Sequence, residues 1–309
     1  MASSLNLPLS VVLALIVAFL NTVGYYFQKK GQNEIEDGLP LIKYLITAIK
    51  TPKWLFGFIV AISSMPLYIY TLSIGHISIT QPLANTGIIF LVIFGIKFLG
   101  EKVGKLELIG LVMLLSGIFL ISFLLPQPKE VYTLVSLELM IFYGIIAGIL
   151  GACVLAILLK KKAIGFSLLA GMSMGTAATL VKIISVLIKE KGYDSFSILN
   201  IDLDIKLLTG ILGGEYFFIS AIFYLAVVLI LIQMVGLILS FKAGTLTFVI
   251  PIEMGSSFIL PVFAGFFIFH EPSNPYLIIG IIISLIGSLI LTKVQASIET
   301  KLKKEKELV

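Results

Sequence analysis

Charge is what this chain has least of. Only 13% of its residues are charged, about half the share of an ordinary soluble domain. Arginine is absent, so all 22 basic residues are lysines. The single cysteine, Cys153, excludes an intrachain disulfide and a thiolate metal site; alone, it is a small residue for buried packing. The two histidines, His76 and His270, fall in or near loops and fit no metal-ligand spacing. No HExxH, no GxSxG and no phosphate-cradling glycine loop occurs. A membrane-lipid enzyme would need a catalytic cluster at one interface, and the sequence offers none. Nor is there an ATP-binding segment. The net charge of +5 does not point to nucleic acid, because the lysines sit at the ends of apolar runs and in loops.

What the chain has is apolar length. Of its 309 residues 59% are hydrophobic, and the mean hydropathy is +1.11. About 20 mostly apolar residues carry a helix across the hydrocarbon core. Nine such runs occur, at roughly 8–27, 54–73, 77–98, 105–124, 134–158, 164–187, 215–240, 244–268 and 275–293. They are continuous and do not alternate, which excludes a barrel. The expected fold class is an all-α integral membrane protein of about nine transmembrane helices. With the N-terminus outside, 17 lysines face the cytoplasm, among them Lys29, Lys30, Lys97, Lys160, Lys242 and Lys293, and four face outward: Lys129, Lys189, Lys191 and Lys206. Lys182 lies within a span. That bias follows the positive-inside rule and predicts a multi-pass protein of the cell membrane with its C-terminus in the cytoplasm. The start, MASSLNLPLS, carries no basic region, so the first run is expected to be a span and not a cleaved signal.

Two stretches share one skeleton. Pro82 stands seven positions after Gly75, and Glu101, Gly110 and Gly117 follow. Pro251 stands seven positions after Gly244, and Glu271, Gly280 and Gly287 follow. The proline-to-glutamate interval is 19 in one copy and 20 in the other. The next two intervals, 9 and 7, are the same in both. The expected organisation is a first repeat over 1–124, a bridging span over 125–162, a second repeat over 163–293 and a charged cytoplasmic tail over 294–309. Equivalent spans lie five apart, an odd number, so the copies cross in opposite directions as inverted repeats. In such proteins the solute site lies between the halves. Residues 28–53 hold an amphipathic segment, LPLIKYLITAIK, expected at the membrane surface. Residues 188–214 hold Glu190, Asp194, Asp202 and Asp204, either an ordinary solvated loop or an acidic entrance for cations.

A charged group inside a span is costly and tends to be functional. Glu253 lies nine residues into the eighth run, roughly 13 Å along it at 1.5 Å per residue and close to the midplane. Pro251 precedes it by two residues; a proline removes a backbone donor and loosens the helix. The equivalent place in the third span is Gln81-Pro82-Leu83-Ala84-Asn85. It offers an amide wall opposite the carboxylate. Asn21 and Thr22 in the first span, and Ser173 and Thr176 in the sixth, lie at similar depth. The expected substrate-binding set is Glu253, Asn85, Asn21, Thr176 and Gln81, with Pro82 and Pro251 breaking or bending the cavity helices. Packing alone is the competing reading for each of these side chains. Glu253 is the expected metal-contacting group if the solute is a cation, and no resident cofactor is expected.

With nine runs and this skeleton, the chain resembles the drug/metabolite transporter superfamily (EamA-like). FLNTVGYYFQKKG and the following 54–124 block are similar to the four-helix unit of small multidrug resistance proteins, with Asn21 standing where that family carries a glutamate. The likeness is closer to NIPA-type magnesium transporters, built as four helices, a bridge and four. Gln233, Pro251 and Glu271 resemble their run from glutamine through proline to an acidic residue, and Gln28-Lys29-Lys30-Gly31 their KKKG. The resemblance implies a secondary transporter working by alternating access, with Mg2+ or another cation as solute. A small organic metabolite or cationic drug fits the tyrosine-rich spans (Tyr25, Tyr26, Tyr68, Tyr70) equally well. A non-transporting receptor or scaffold is the alternative of another class. The expected partners are the small solute and the lipid bilayer.

Overall fold

The computed structural model describes residues 7–36, 39–84, 86–100, 103–123, 162–192 and 201–269, with helical fragments between 141 and 152 and between 275 and 294. Among the described residues every regular element is a helix. In chain order these are α1 (Leu7–Gln32), α2 (Leu41–Lys50), α3 (Pro52–Ser63), α4 (Met65–Ile74), α5 (Ile77–Ala84), α6 (Ile88–Leu99) and α7 (Lys105–Phe123). Then follow α8 (Lys162–Glu190), α9 (Ile201–Thr209), a 3-10 turn (Gly210–Leu212), α10 (Phe217–Ala243), α11 (Leu246–Ser257) and α12 (Ile259–Phe267). A last apolar helix, α13, runs over Ile278–Leu291.

Five helical stretches are long and apolar enough to cross a membrane: Pro8–Gln32, Pro52–Ile74, Lys162–Lys189, Phe217–Ala243 and Leu246–Phe267. They coincide with the first, second, sixth, seventh and eighth apolar runs. The third run is the split pair α5 and α6, and α7 covers the fourth. The bridging run at 134–158, with Cys153, lies outside the described residues except for scattered helical positions such as Ile141, Ile145 and Ile146.

Polarity is distributed as a bilayer demands. Val12, Ile59, Val112 and Leu231 are each more than half exposed, while Thr22, Gln28, Lys29, Gln81, Lys182 and Glu253 are buried. An apolar outside costs nothing against lipid, and polar groups turn inward to find partners. Two spans form the centre: α8 is 83% buried and the α11–α12 stretch 89%, against 33% for α10. α2 fits the expected surface helix, with Tyr44 and Ala48 packed inward and Leu41, Ile42, Ile46 and Ile49 exposed.

Two spans are interrupted just ahead of a proline. The second pauses at Ser64, two residues before Pro66, and the eighth at Phe258, three before Pro261. A proline ring clashes with the carbonyl four residues earlier and donates no hydrogen bond to it, so the regular helical bonding lapses there. The third span is interrupted between Ala84 and Ile88, with a turn at 86–87. There Thr22 of α1 donates its hydroxyl to the Gly87 carbonyl at 3.0 Å and binds the broken segment to the first helix.

α1 lies against α3, α4, α5 and α6; correspondingly, α8 lies against α10, α11 and α12. The broken spans run side by side, α5 against α12 and α6 against α11. The start of one therefore meets the end of the other, and the two are antiparallel. α7 and α13 also meet glycine to glycine: a Cβ on Gly110 would lie 3.1 Å from the Gly287 carbonyl oxygen, and one on Gly117 would strike the Gly280 carbonyl. Only glycine lets the two backbones approach this closely.

Candidate functional site

Side chains at i, i+4 and i+7 share one face of a helix. On α1 that face carries Asn21, Tyr25 and Gln28; on α10 the corresponding face carries Ile230, Gln233, Met234 and Leu237. Together with Phe58, Ala61, Ile62, Ser64, Met65 and Tyr68 from α3, α4 and the break between them, and Met174 from α8, they line a cavity of about 170 Å³. Its walls come from the helices before the bridging run and from those after it. The break at Ser64 serves this wall, because it turns the Ser64 hydroxyl to within 2.9 Å of Asn21 Oδ1.

Glu253 sits directly behind the wall. It lies on α11, every residue of which is buried, and is itself 2% exposed. The Gln233 amide reaches both the Glu253 carboxyl and the Tyr25 hydroxyl as a side-chain hydrogen-bond partner. A carboxyl in this position is stabilised only through such partners, and Gln233 links it to the cavity. α11 can approach α8 closely because Gly171 faces it: a Cβ there would overlap the Glu253 backbone carbonyl and the Ser256 hydroxyl.

The expected site residues fall at different places. Asn21 lines the cavity. Glu253 lies one side chain behind it. Gln81, 2% exposed, accepts the Tyr68 hydroxyl and so supports a cavity residue from α5. Thr176 is buried and donates to the Met172 carbonyl of its own helix at 2.8 Å, as a packing hydroxyl does. Ser173 is also buried, and its hydroxyl has no partner among the described residues. Asn85 and the repeat glutamates Glu101 and Glu271 lie outside the described residues, as does the side chain of Pro82, whose backbone belongs to α5. Pro251 is inside α11, and the helix continues over it to Ser257; the interruption of that span comes ahead of Pro261.

Sequence reasoning gave Gln233, Tyr25, Gln28 and Ser64 little weight. Their helical spacing from Asn21 and from one another carried the signal. What hid it was that each is a common residue for helix packing. No group of three or more His, Cys, Asp or Glu side chains gathers among the described residues. Ahead of α10, Lys206 pairs with Asp202 one turn apart on α9, and Lys191 pairs with Glu215. The neighbouring Lys191 ammonium holds the Glu215 carboxyl below its ordinary range, and Asp202 of the acidic stretch has a cation beside it.

An apolar exterior, polar side chains turned inward and five membrane-length helices define a multi-pass helical membrane protein. One curated protein similar to it is a "Probable magnesium transporter NIPA9" of Arabidopsis thaliana, 25% identical over 141 residues. The match covers 46% of this chain and 40% of that protein, less than half of either. No family model matches the chain, and no solved structure matches it.

Proposed function

We propose that this chain is a secondary transporter that moves a small cation by alternating access. In this reading the cavity between the two sets of helices is the solute site, and Glu253 is its charge. The observation that carries it is the cavity itself. Helices from both ends of the chain wall it, and the buried Glu253 carboxyl is joined to it through Gln233. The antiparallel broken spans and the crosswise contacts of Gly110 with Gly287 and Gly117 with Gly280 support two inverted repeats, because equivalent glycines exchange partners as a two-fold axis requires. Nine spans with the N-terminus outside, the carboxy tail in the cytoplasm and the 125–162 segment as bridge complete the reading.

The similarity to a magnesium transporter favours Mg2+ as solute. So does the chemistry of the wall. Mg2+ gives up its waters reluctantly and needs few direct protein ligands; amides and hydroxyls such as Asn21, Gln28, Gln233, Tyr25 and Ser64 suit an ion that keeps part of its shell. A small organic cation is the second reading, favoured by Phe58, Met65, Met174 and Met234 in the same wall.

Solute-dependent thermal stabilisation of the purified protein separates these readings. A ligand that binds only the folded form stabilises it by about 2.7 kcal/mol at one hundred times Kd. Stabilisation by Mg2+ that is lost in Glu253→Gln is the expected result. Stabilisation by organic cations alone moves the solute to the second reading, and an unchanged Mg2+ response in the variant removes Glu253 from the site.

A further inference from the structure

Two buried lysines make the same contact at opposite ends of the helical core. Lys29, next to the cavity residue Gln28 on α1, is 8% exposed and donates to the carbonyls of Phe241 at 2.7 Å and Gly244 at 2.9 Å, where α10 ends. Lys182 on α8 is 2% exposed and donates to the carbonyls of Leu72 at 2.8 Å and Gly75 at 2.6 Å, where α4 ends. Lys189, two turns further along α8, reaches the Ser73 carbonyl of the same turn at 3.3 Å.

The acceptors correspond residue for residue. Gly75 and Gly244 open the two copies of the sequence skeleton, and in each copy the second acceptor stands three residues before the glycine. Both glycines are extended, at φ −120°, ψ 167° and φ −149°, ψ 171°. The contacts run crosswise, since a first-half helix holds the second half and a second-half helix holds the first. A cation at a helix C-terminus satisfies carbonyls that have no partner in the helix and complements its dipole. Gly75 starts the α5–α6 span and Gly244 the antiparallel α11–α12 span, so the two contacts lie at opposite ends of the bundle. The cavity lies between them, and Gln28 borders the first contact.

We propose that Lys29 and Lys182 are the two gate residues of the transport cycle. Each latches the first helix of one half to the terminal carbonyls of the second helix of the other half. The cavity opens toward one side when the lysine on that side lets go. Both latches are closed in this structure. A lysine suits the task because its long apolar stem allows the released ammonium to swing out to water at the membrane face. The inference rests on the transporter reading above.

The test uses the full chain with Cys153→Ser and Met174→Cys, which leaves one thiol in the cavity wall. Labelling by a membrane-impermeant maleimide is timed in right-side-out and inside-out vesicles, with and without Mg2+ or an organic cation. Lys29→Met is expected to raise the labelling rate from one side about tenfold, and Lys182→Met from the other. That ratio corresponds to about 1.4 kcal/mol on each opening equilibrium. Lys29→Arg and Lys182→Arg, which keep the cation, should stay near the parent rate. Lys29→Gln and Lys182→Gln are measured alongside and read in the same way, so the answer does not depend on recovering the methionine variants folded. Rates equal to the parent from both sides, or both variants opening to the same side, overturn the proposal. The two readings fail separately. Protection of the thiol by solute with no effect of the lysine variants sinks the latch alone. Sided labelling with no protection by any solute keeps the latch and sinks the solute site.

Discussion

Glu253 carries most of the argument at the scale of single residues. Its burial was legible from sequence, because a carboxylate in the middle of an apolar run has no route to water. Its partner was not legible. Gln233 lies twenty residues earlier on α10, and the packing of α10 and α11 on α8 and on each other brings the two together. Gln233→Leu is expected to leave the Glu253 carboxyl without that hydrogen bond. Losing one bond to a buried charged group costs about 1.5–3 kcal/mol, so solute affinity should fall by about tenfold or more, as read from the solute concentration that half-saturates the thermal shift. Thr176 shows the opposite case. Depth and polarity marked it as a wall residue, yet its hydroxyl is spent on the Met172 carbonyl of its own helix. Thr176→Val should therefore leave the solute response within about twofold of wild type, since bond and hydroxyl are removed together.

Element by element, the sequence pattern set out the spans well and their interruptions less well. Apolar runs give length and direction, and the first, second, sixth, seventh and eighth runs reappear as membrane-length helices. Proline position was a poorer guide. Pro251 lies within continuous helix, whereas Pro66 and Pro261 follow the breaks at Ser64 and Phe258. A proline's lost hydrogen bond can be tolerated inside a span when neighbouring helices enclose it. Close helix contacts, by contrast, depend on glycine. Gly171→Val would place a branched side chain where the Glu253 backbone already lies. Overpacking of this kind costs about 1–3 kcal/mol, so the variant should melt at lower temperature and lose solute stabilisation because α11 is displaced. Gly117→Val, at the contact between α7 and α13, should lower the melting temperature too. It should keep the solute response, since that contact is distant from the cavity walls.

For the whole molecule, the skeleton shared by the two stretches from Gly75 and from Gly244 was the most informative feature of the sequence. Residues at matching positions of the two stretches make matching contacts: glycine against glycine between α7 and α13, and a buried lysine on each pair of helix-end carbonyls. The lysine contacts were not legible beforehand. Lys182 read only as a lysine within a span, and nothing in a linear sequence pairs Lys29 with a carbonyl more than 200 positions away. The central claim is movement of a cation through the cavity these contacts enclose. Purified protein in liposomes, with a Mg2+ indicator trapped inside, tests it most directly. The account predicts uptake that saturates with external Mg2+ and falls at least about tenfold in Glu253→Gln. Uptake no greater than in empty liposomes, or undiminished in that variant, would contradict it.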